Sequence, residues 1–407
     1  MKMILIKIGI LNVFRNKRRS FLTSLAIGVG LMSLILADGL MLGMKNYMVN
    51  SVTEDFLGHG QIHNKAFRNT NKTKFILENL EDLKTEIGSS EELKAASFRA
   101  ISPALIASAE GSNQIGLFGI EPEVEKKVSR LAKFIIAGTY LDNDPRSILI
   151  GQKLAKKLNV EVGGKIVITL STLKGDSISQ ELLKVAGIFA FGSRDFDNQM
   201  AFINLKKMQN ILHCSNCVHE VAIKFKNLNE LETHFPNYKK RFSKGENIFE
   251  SWRDLVPALD SAFKLNDISI FFLVILLGIL VGAGIINTLY MSLFERKFEF
   301  GVLLAIGTRK KLLFQIVMIE SLALAIGSII LGSILTLIFG TFLAVKGIDY
   351  GGISFVGVAL REPIYFVFNP KAFFIFSGGL IVFTMMISVY PVFRLLQIKP
   401  SEALKLN

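Results

Sequence analysis

The sequence predicts an α-helical membrane protein with four spans, one plus three, and a large α+β extracytoplasmic domain between the first span and the second. Three observations carry this reading. Half of the 407 residues are apolar and the mean hydropathy is +0.43, which excludes a disordered chain, a collagen-like fibre and a small disulfide scaffold. The apolar residues gather in four nearly uncharged stretches, each long enough to cross about 30 Å of hydrocarbon. Between the first two lie about 220 residues of mixed composition, enough for an independent core.

Residues 1–20 form a basic amphipathic opening, with apolar Ile4, Ile6, Ile8, Ile10, Leu11 and Phe14 among Lys and Arg. It reads as a retained surface helix feeding span one rather than a cleaved signal. Span one, 21–43, has one ionisable residue, Asp38, and span two, 268–294, has none. Span three, 312–345, holds only Glu320 and is longer than a bilayer needs, so it tilts or begins at the interface. Span four, 372–393, is uncharged. Asp38 and Glu320 fall in opposite leaflets on this layout, which suits interfacial placement or helix–helix hydrogen bonds better than a proton relay. Gly39-x-x-x-Gly43 and Gly278-x-x-x-Gly282, the latter extended by Gly284, allow close helix approach and point to packing between protomers.

Lys and Arg set the orientation, because the cytoplasmic ends of spans retain positive charge. The opening, the connection 295–311 and the tail 394–407 together hold +11 of the net +13. Both termini are therefore expected in the cytoplasm, with 346–371 an outer loop. Anionic membrane lipids account for this basic balance, and no nucleic acid is needed.

The domain 44–267 reads as α+β. Leu80, Leu83 and Ile87 share a helical face, Leu154 and Leu158 mark another short helix, and Ser89 with Glu92 has the spacing of a capping box ahead of a helix at Leu93. Ile166–Leu170, Met200–Leu205 and Val221–Phe225 read as strands. At its edges, Met41, Met44, Met48 and Val52 continue the stripe of span one. Ile248, Trp252, Leu255, Val256, Leu259 and Phe263 form another stripe before span two. Both spans are thus expected to extend as helical stalks.

Catalytic chemistry is missing. The one Gly-Gly-Lys, Gly163-Gly164-Lys165, has Asn159 and Ile166 where a phosphate-cradling loop needs Gly and a hydroxyl. Neither G-x-S-x-G nor H-E-x-x-H occurs. His213, Cys214, Cys217 and His219 fall within seven residues. That spacing approaches a zinc site, but a local disulfide or idle thiols fit better, so the expected metal content is none.

The connection Glu295-Arg296-Lys297-Phe298-Glu299-Phe300-Gly301-Val302-Leu303-Leu304-Ala305-Ile306-Gly307 resembles the E-R-x-x-E-[IF]-G-x-L-x-A-[IL]-G signature of permeases in the MacB, LolC/LolE and FtsX superfamily of ABC transporters. Gly58-His59-Gly60-Gln61-Ile62-His63 is similar to the G-H-x-Q-I-H stretch of LolC/LolE-like permeases, and Lys399-Pro400-Ser401-Glu402-Ala403-Leu404 to the family's ending. The resemblance covers nearly the whole chain. It implies that the outer domain is of MacB periplasmic-core type and lies in the periplasm, with the spans in the inner membrane. It also implies that the connection is a coupling helix, with Arg296, Phe298, Glu299, Gly301, Leu303, Ala305 and Gly307 meeting a separate ABC ATPase. ATP and magnesium then belong to that partner, and this chain binds no cofactor and catalyses nothing. Further implied partners are a second permease protomer, identical or not, a lipidated protein or amphiphile as cargo, and a periplasmic chaperone, although no hook motif for one is found. Lipoprotein release is the leading expectation. MacB-like export of peptides, antibiotics or other amphiphiles and FtsX-like transmembrane signalling are its rivals.

Overall fold

A computed structural model describes residues 11, 15, 17–70, 72–142, 144–173, 175, 177–193 and 196–396. Most of the amphipathic opening and the tail motif at Lys399–Leu404 lie outside the described residues. The chain forms two compact units, one drawn from Met1–Lys45, Phe263–Ile348 and Pro363–Asn407, the other from Asn46–Ala262 and Asp349–Glu362.

The first unit is helical. Its elements are α1 (Lys17–Val52), α2 (Pro257–Glu295), α3 (Lys297–Ala305), α4 (Lys310–Lys346) and α5 (Pro370–Leu396). Among the described residues four helices are long and apolar enough to cross a membrane, α3 being the exception. Their shared core includes Ile27, Val281, Ile285, Leu289, Val317 and Val392. α1 and α4 touch backbone to backbone: a Cβ on Gly28 would lie 3.0 Å from the Gly332 amide, and one on Gly332 only 2.8 Å from the Gly28 carbonyl. This glycine pair, one residue from each helix, is invisible to a search for G-x-x-x-G within a single span.

The glycines singled out in the sequence pack elsewhere. A Cβ on Gly39 would strike the Phe366 ring, and one on Gly43 the Tyr365 carbonyl, so both accommodate the extended segment ahead of α5. Gly282 faces Ile387 and Phe383 of α5, Gly278 meets Phe383 at 3.7 Å, and Gly284 meets nothing. Gly39, Gly43, Gly278 and Gly282 thus each make a close contact inside one chain. Asp38 accepts a hydrogen bond from the Asn369 amide at 3.0 Å, an ordinary way to satisfy a carboxylate near the end of a span.

The second unit is a ten-stranded sheet assembly. Its strands are β1 (Gly60–Asn64), β2 (Leu93–Ala107), β3 (Ser112–Ile120), β4 (Ile135–Gly138), β5 (Ser147–Gly151), β6 (Lys165–Ser171), β7 (Ile178–Phe189), β8 (Met200–Asn204), β9 (Glu220–Phe225) and β10 (Asn247–Ser251). The pairings β2–β3, β3–β8, β8–β5, β5–β7, β7–β6 and β6–β2 close into a ring. Inward-facing Ile106, Leu117, Ile148, Ile168, Leu183 and Ile203 fill it. The first half of β2 instead pairs with β9, which carries β1 and then β10, and helices Leu80–Gly88 and Leu228–Phe242 cover this layer with Leu83, Leu231 and Phe242. One 15-residue strand, β2, therefore belongs to both lobes.

Two sequence expectations fail here for identifiable reasons. Leu93–Ala107 is a strand, not a helix; Ser89 ends the preceding helix, donating its N–H to the Thr85 carbonyl and its hydroxyl to Glu86 O. Partners on both sides of β2 override the local capping signal. The true capping box is Ser251 with Asp254. Similarly, Ile248 lies on β10, and the helical run breaks at Val256 (φ −126°, ψ 68°) because Pro257 disfavours the helical conformation of the residue before it. Only from Pro257 is the helix continuous. By contrast α1 runs unbroken to Val52 and through one π-helical turn, Thr53–Leu57, which Gly58 ends at φ 80°.

Where β2 passes from one lobe to the other, Arg99 is fully buried. Its guanidinium donates to Glu125 Oε1 (2.6 Å) and Oε2 (3.1 Å), to Glu220 Oε1 (2.8 Å) and to the Phe56 carbonyl (2.6 Å). One side chain so ties the turn after α1, helix Pro122–Val128 and β9 to β2. Burial pushes the Glu125 carboxyl up, but Arg99 outweighs it and holds it below the usual carboxylate range. The span 346–371 is also more than a loop. Its residues Asp349–Glu362 join the second unit as a small hairpin, β11 (Ser354–Phe355) and β12 (Val358–Ala359). The Tyr47 hydroxyl donates to the Ala359 carbonyl (3.2 Å) and accepts from the Arg361 N–H (2.9 Å).

Candidate coupling site and apolar cavity

α3 is two and a half turns of helix with an unequal surface. Phe300 and Gly301 are buried against the bundle, whereas Phe298, Leu303, Ala305 and Ile306 are exposed, Ile306 to 78%. Its end is a Schellman cap: Thr308 N–H bonds to Leu303 O (2.9 Å), Gly307 N–H to Leu304 O (3.1 Å), and Gly307 takes φ 94°. Gly307 is required for that conformation rather than for space, since a Cβ there would meet nothing.

Charged groups fasten the inner side. The Arg296 guanidinium donates to Glu320 Oε2 of α4 (3.1 Å) and to Glu299 Oε2 (3.2 Å), and its cation sits 4.8 Å from the Phe300 ring centre. Glu320 also accepts from the Ser292 hydroxyl (3.0 Å), and Glu299 from Arg15 (2.7 Å). Burial raises the Glu299 carboxyl, but Arg15 and Arg296 more than offset it and hold it below its ordinary range. The sequence pattern grouped Arg296 and Glu299 with outward Phe298 and Leu303; the structure separates them into a clamp and a presenting face. Glu320, expected at the interface or in a helix–helix hydrogen bond, accepts such a bond from Ser292 and anchors the clamp, and Ile306, not singled out within the motif, is exposed. An alternation of charge across the α3 boundary, Arg296 answered by Glu320 one span later, was the available signal.

Beside α1, α2 and α5 the same unit forms an open apolar cavity of about 870 Å³. Ile27, Gly30 and Leu34 line one wall, Gly278 and Gly282 a second, Phe383 a third. Its lining has almost no polar surface, so it suits hydrocarbon rather than a hydrogen-bonding solute.

The His/Cys cluster does not assemble. Among the described residues no three His, Cys, Asp or Glu side chains converge to hold a metal. His219 is committed within the fold: Nδ1 accepts from the Ile101 N–H (3.1 Å) and Nε2 lies 2.8 Å from the Thr73 carbonyl, to which it donates as the Nε2–H tautomer. Burial lowers its pKa to about 4. Cys214 and Cys217 are unbridged, Cys217 directing its thiol at the Cys214 carbonyl (3.6 Å), and His213 sits in a left-handed turn at φ 53°. In the G-H-x-Q-I-H stretch, His59 Nδ1 accepts from the Phe225 N–H (3.1 Å) and Gln61 donates to Leu57 O (3.0 Å), so that motif secures the turn after α1 to the sheet.

The MacB-like periplasmic core domain model matches residues 20–233, and the FtsX-like permease C-terminal model matches 269–400. The chain is a permease of the MacB/FtsX superfamily. Within that superfamily of ABC transporter permeases it is most like LolC. The lipoprotein-releasing system transmembrane protein LolC of Buchnera aphidicola subsp. Schizaphis graminum is 27% identical over 337 residues, 80% of this permease and 77% of the relative. LolC of Haemophilus influenzae is 22% identical over 394 residues, covering 94% and 92%. Among solved structures, the periplasmic region of MacB from Actinobacillus actinomycetemcomitans aligns with 49% of this permease and 92% of its own chain, at 11% identity and a TM-score of 0.35.

Proposed function

We propose that this permease is a non-catalytic subunit of a lipoprotein-releasing ABC transporter of the inner membrane, driven by ATP that a separate ATPase hydrolyses with magnesium. The observation that carries the reading is the likeness to LolC over nearly the full length of both chains. In this reading both termini and α3 are cytoplasmic, the sheet unit is periplasmic, and a second permease protomer, identical or paralogous, completes the transporter. The ATPase receives Phe298, Leu303, Ala305 and Ile306 in a groove. ATP-driven closure pulls on α3, the Arg296–Glu320 clamp passes the pull to α4, and the long helices α1 and α2 relay it outward. Acyl chains held in the apolar cavity would be drawn out of the outer leaflet at a cost of about 0.8 kcal/mol per CH₂, and a periplasmic chaperone would take the released cargo.

Docking through the outward face of α3 is tested by co-purification from membranes. F298D and I306D each place a charge on that face, away from the clamp. They are expected to reduce recovery of the ATPase about tenfold or more, as loss of an interface anchor does, with the permease itself still recovered. Unchanged recovery with the double variant would sink the docking assignment.

A further inference from the structure

At the end of the bundle that carries α3, the cations fall into two sets. Arg15, Arg19 and Arg296 each face a carboxylate, at 2.7, 3.2 and 3.1 Å from Glu299, Glu295 and Glu320. Lys17, Arg18, Lys297, Arg309, Lys310, Lys311 and Arg394 make no ion pair with a carboxylate among the described residues, and of these Lys297 and Arg394 stand together. Both line one cleft of about 280 Å³ between α2 and α5. Its walls are aromatic, with the Tyr290 and Tyr390 rings edge-on at 6.3 Å, Phe294 stacked on Tyr290 at 6.2 Å, and the Arg394 cation 5.9 Å from the Tyr390 ring. Buried Leu293 and Pro391 form its floor.

Two cations sharing a cleft without a counter-charge repel one another, and an anion between them relieves that repulsion. The cleft is walled by the ends of two helices long and apolar enough to cross a membrane, which is where lipid headgroups bring anions attached to hydrocarbon. We propose that this cleft is a binding site for an anionic phospholipid. Its phosphate sits between Lys297 and Arg394, the phenol hydroxyls of Tyr290 and Tyr390 donate to phosphate or glycerol oxygens, and the first methylenes lie on Phe294 and Leu293. Scattered basic anchors near a membrane surface need no such walls; the pairing of two cations that meet no carboxylate among the described residues with a formed aromatic cleft distinguishes a site from a flank. Lys297 is also the first residue of α3, so an occupied site steadies the end of the coupling helix next to the Arg296 clamp.

The test uses the full-length permease in nanodiscs made from equal parts phosphatidylglycerol and phosphatidylcholine, with retained lipids counted by native mass spectrometry. Near a membrane surface each basic residue is worth about fivefold for an anionic lipid, so the wild type should retain phosphatidylglycerol in clear preference. K297Q/R394Q should bring the two lipids to near parity, K297R/R394K should keep the preference, and Y290F/Y390F, which leaves the charges in place, should weaken it about two- to threefold. Equal retention of both lipids by the wild type, or wild-type preference in K297Q/R394Q, overturns the proposal. So does displacement of phosphatidylglycerol by millimolar inorganic phosphate, which would make the site a reader of phosphate alone.

Discussion

R296M should abolish coupling while leaving the ATPase bound. The substitution removes the donor that joins α3 to α4 and leaves Glu320, whose side chain is only 6% exposed, with the Ser292 hydroxyl as its remaining partner. Breaking one side of a buried ion pair costs about 3–5 kcal/mol, enough to detach the inner face of α3 from the bundle. The outward residues Phe298 and Ile306 are untouched, so ATPase recovery should change less than about twofold, whereas ATP-driven release of cargo should fall to a tenth or less of wild type. R296M/E320M, which removes both charges at once, should recover much of the lost stability, because an apolar pair of similar volume substitutes for a buried ion pair. Release at the wild-type rate by R296M would show that the clamp carries no force.

The second large effect is expected at Arg99. R99M leaves Glu125, fully buried, and Glu220, 12% exposed, without their counter-charge. It should therefore destabilise the sheet unit by about 3–5 kcal/mol, a large fraction of the 5–15 kcal/mol typical of a domain. Trp252, the sole tryptophan and 1% exposed, reports on this unit directly. Its fluorescence in urea titrations of the full-length permease should show a lower midpoint for R99M. The same probe should show acid sensitivity in the wild type. Burial among apolar neighbours disfavours the imidazolium of His59 and of His219 and holds both near a pKa of about 4, below the ~6.5 of an unfolded histidine. The unfolded chain therefore takes up these protons first, and stability falls as pH drops from about 6.5 towards 4. Glu125, lowered in the fold, adds to the loss further down, as pH falls through its folded value. A midpoint unchanged by R99M, or stability flat between pH 7 and 4.5, would contradict this account of the core.

The spans were legible because hydrocarbon imposes length and apolarity on every turn, and α2 shows no ionisable residue between Ile268 and Phe294. Strands β6, β8 and β9 were legible from local alternation or apolar runs bounded by turns. The closure of β2, β3, β8, β5, β7 and β6 was not, because it depends on partners far apart in sequence. The capping box expected ahead of Leu93 failed for a related reason: its spacing is a local signal, and pairing of β2 with β9, β3 and β6 outweighs it. At the candidate site, the motif falls on α3 but could not assign the faces of that helix. Only the fold shows that Arg296 reaches Glu320, 24 residues away, while Ile306 points outward. Nor could sequence tell that Gly43 makes room for a carbonyl of its own chain. Helical spacing shows that a face is small without naming what approaches it.

The central claim is that this permease releases lipid-anchored protein with ATP spent by a neighbour. The most direct measurement reconstitutes it with the ATPase and any second permease that co-purify, in vesicles carrying a fluorescent lipoprotein, and follows the label leaving the membrane. Release should require ATP, should fail for the same protein without its acyl chains, and should collapse in F298D/I306D, whereas the permease alone should hydrolyse no ATP. Release that ignores the acyl chains, or ATP hydrolysis by the isolated permease, would contradict the account.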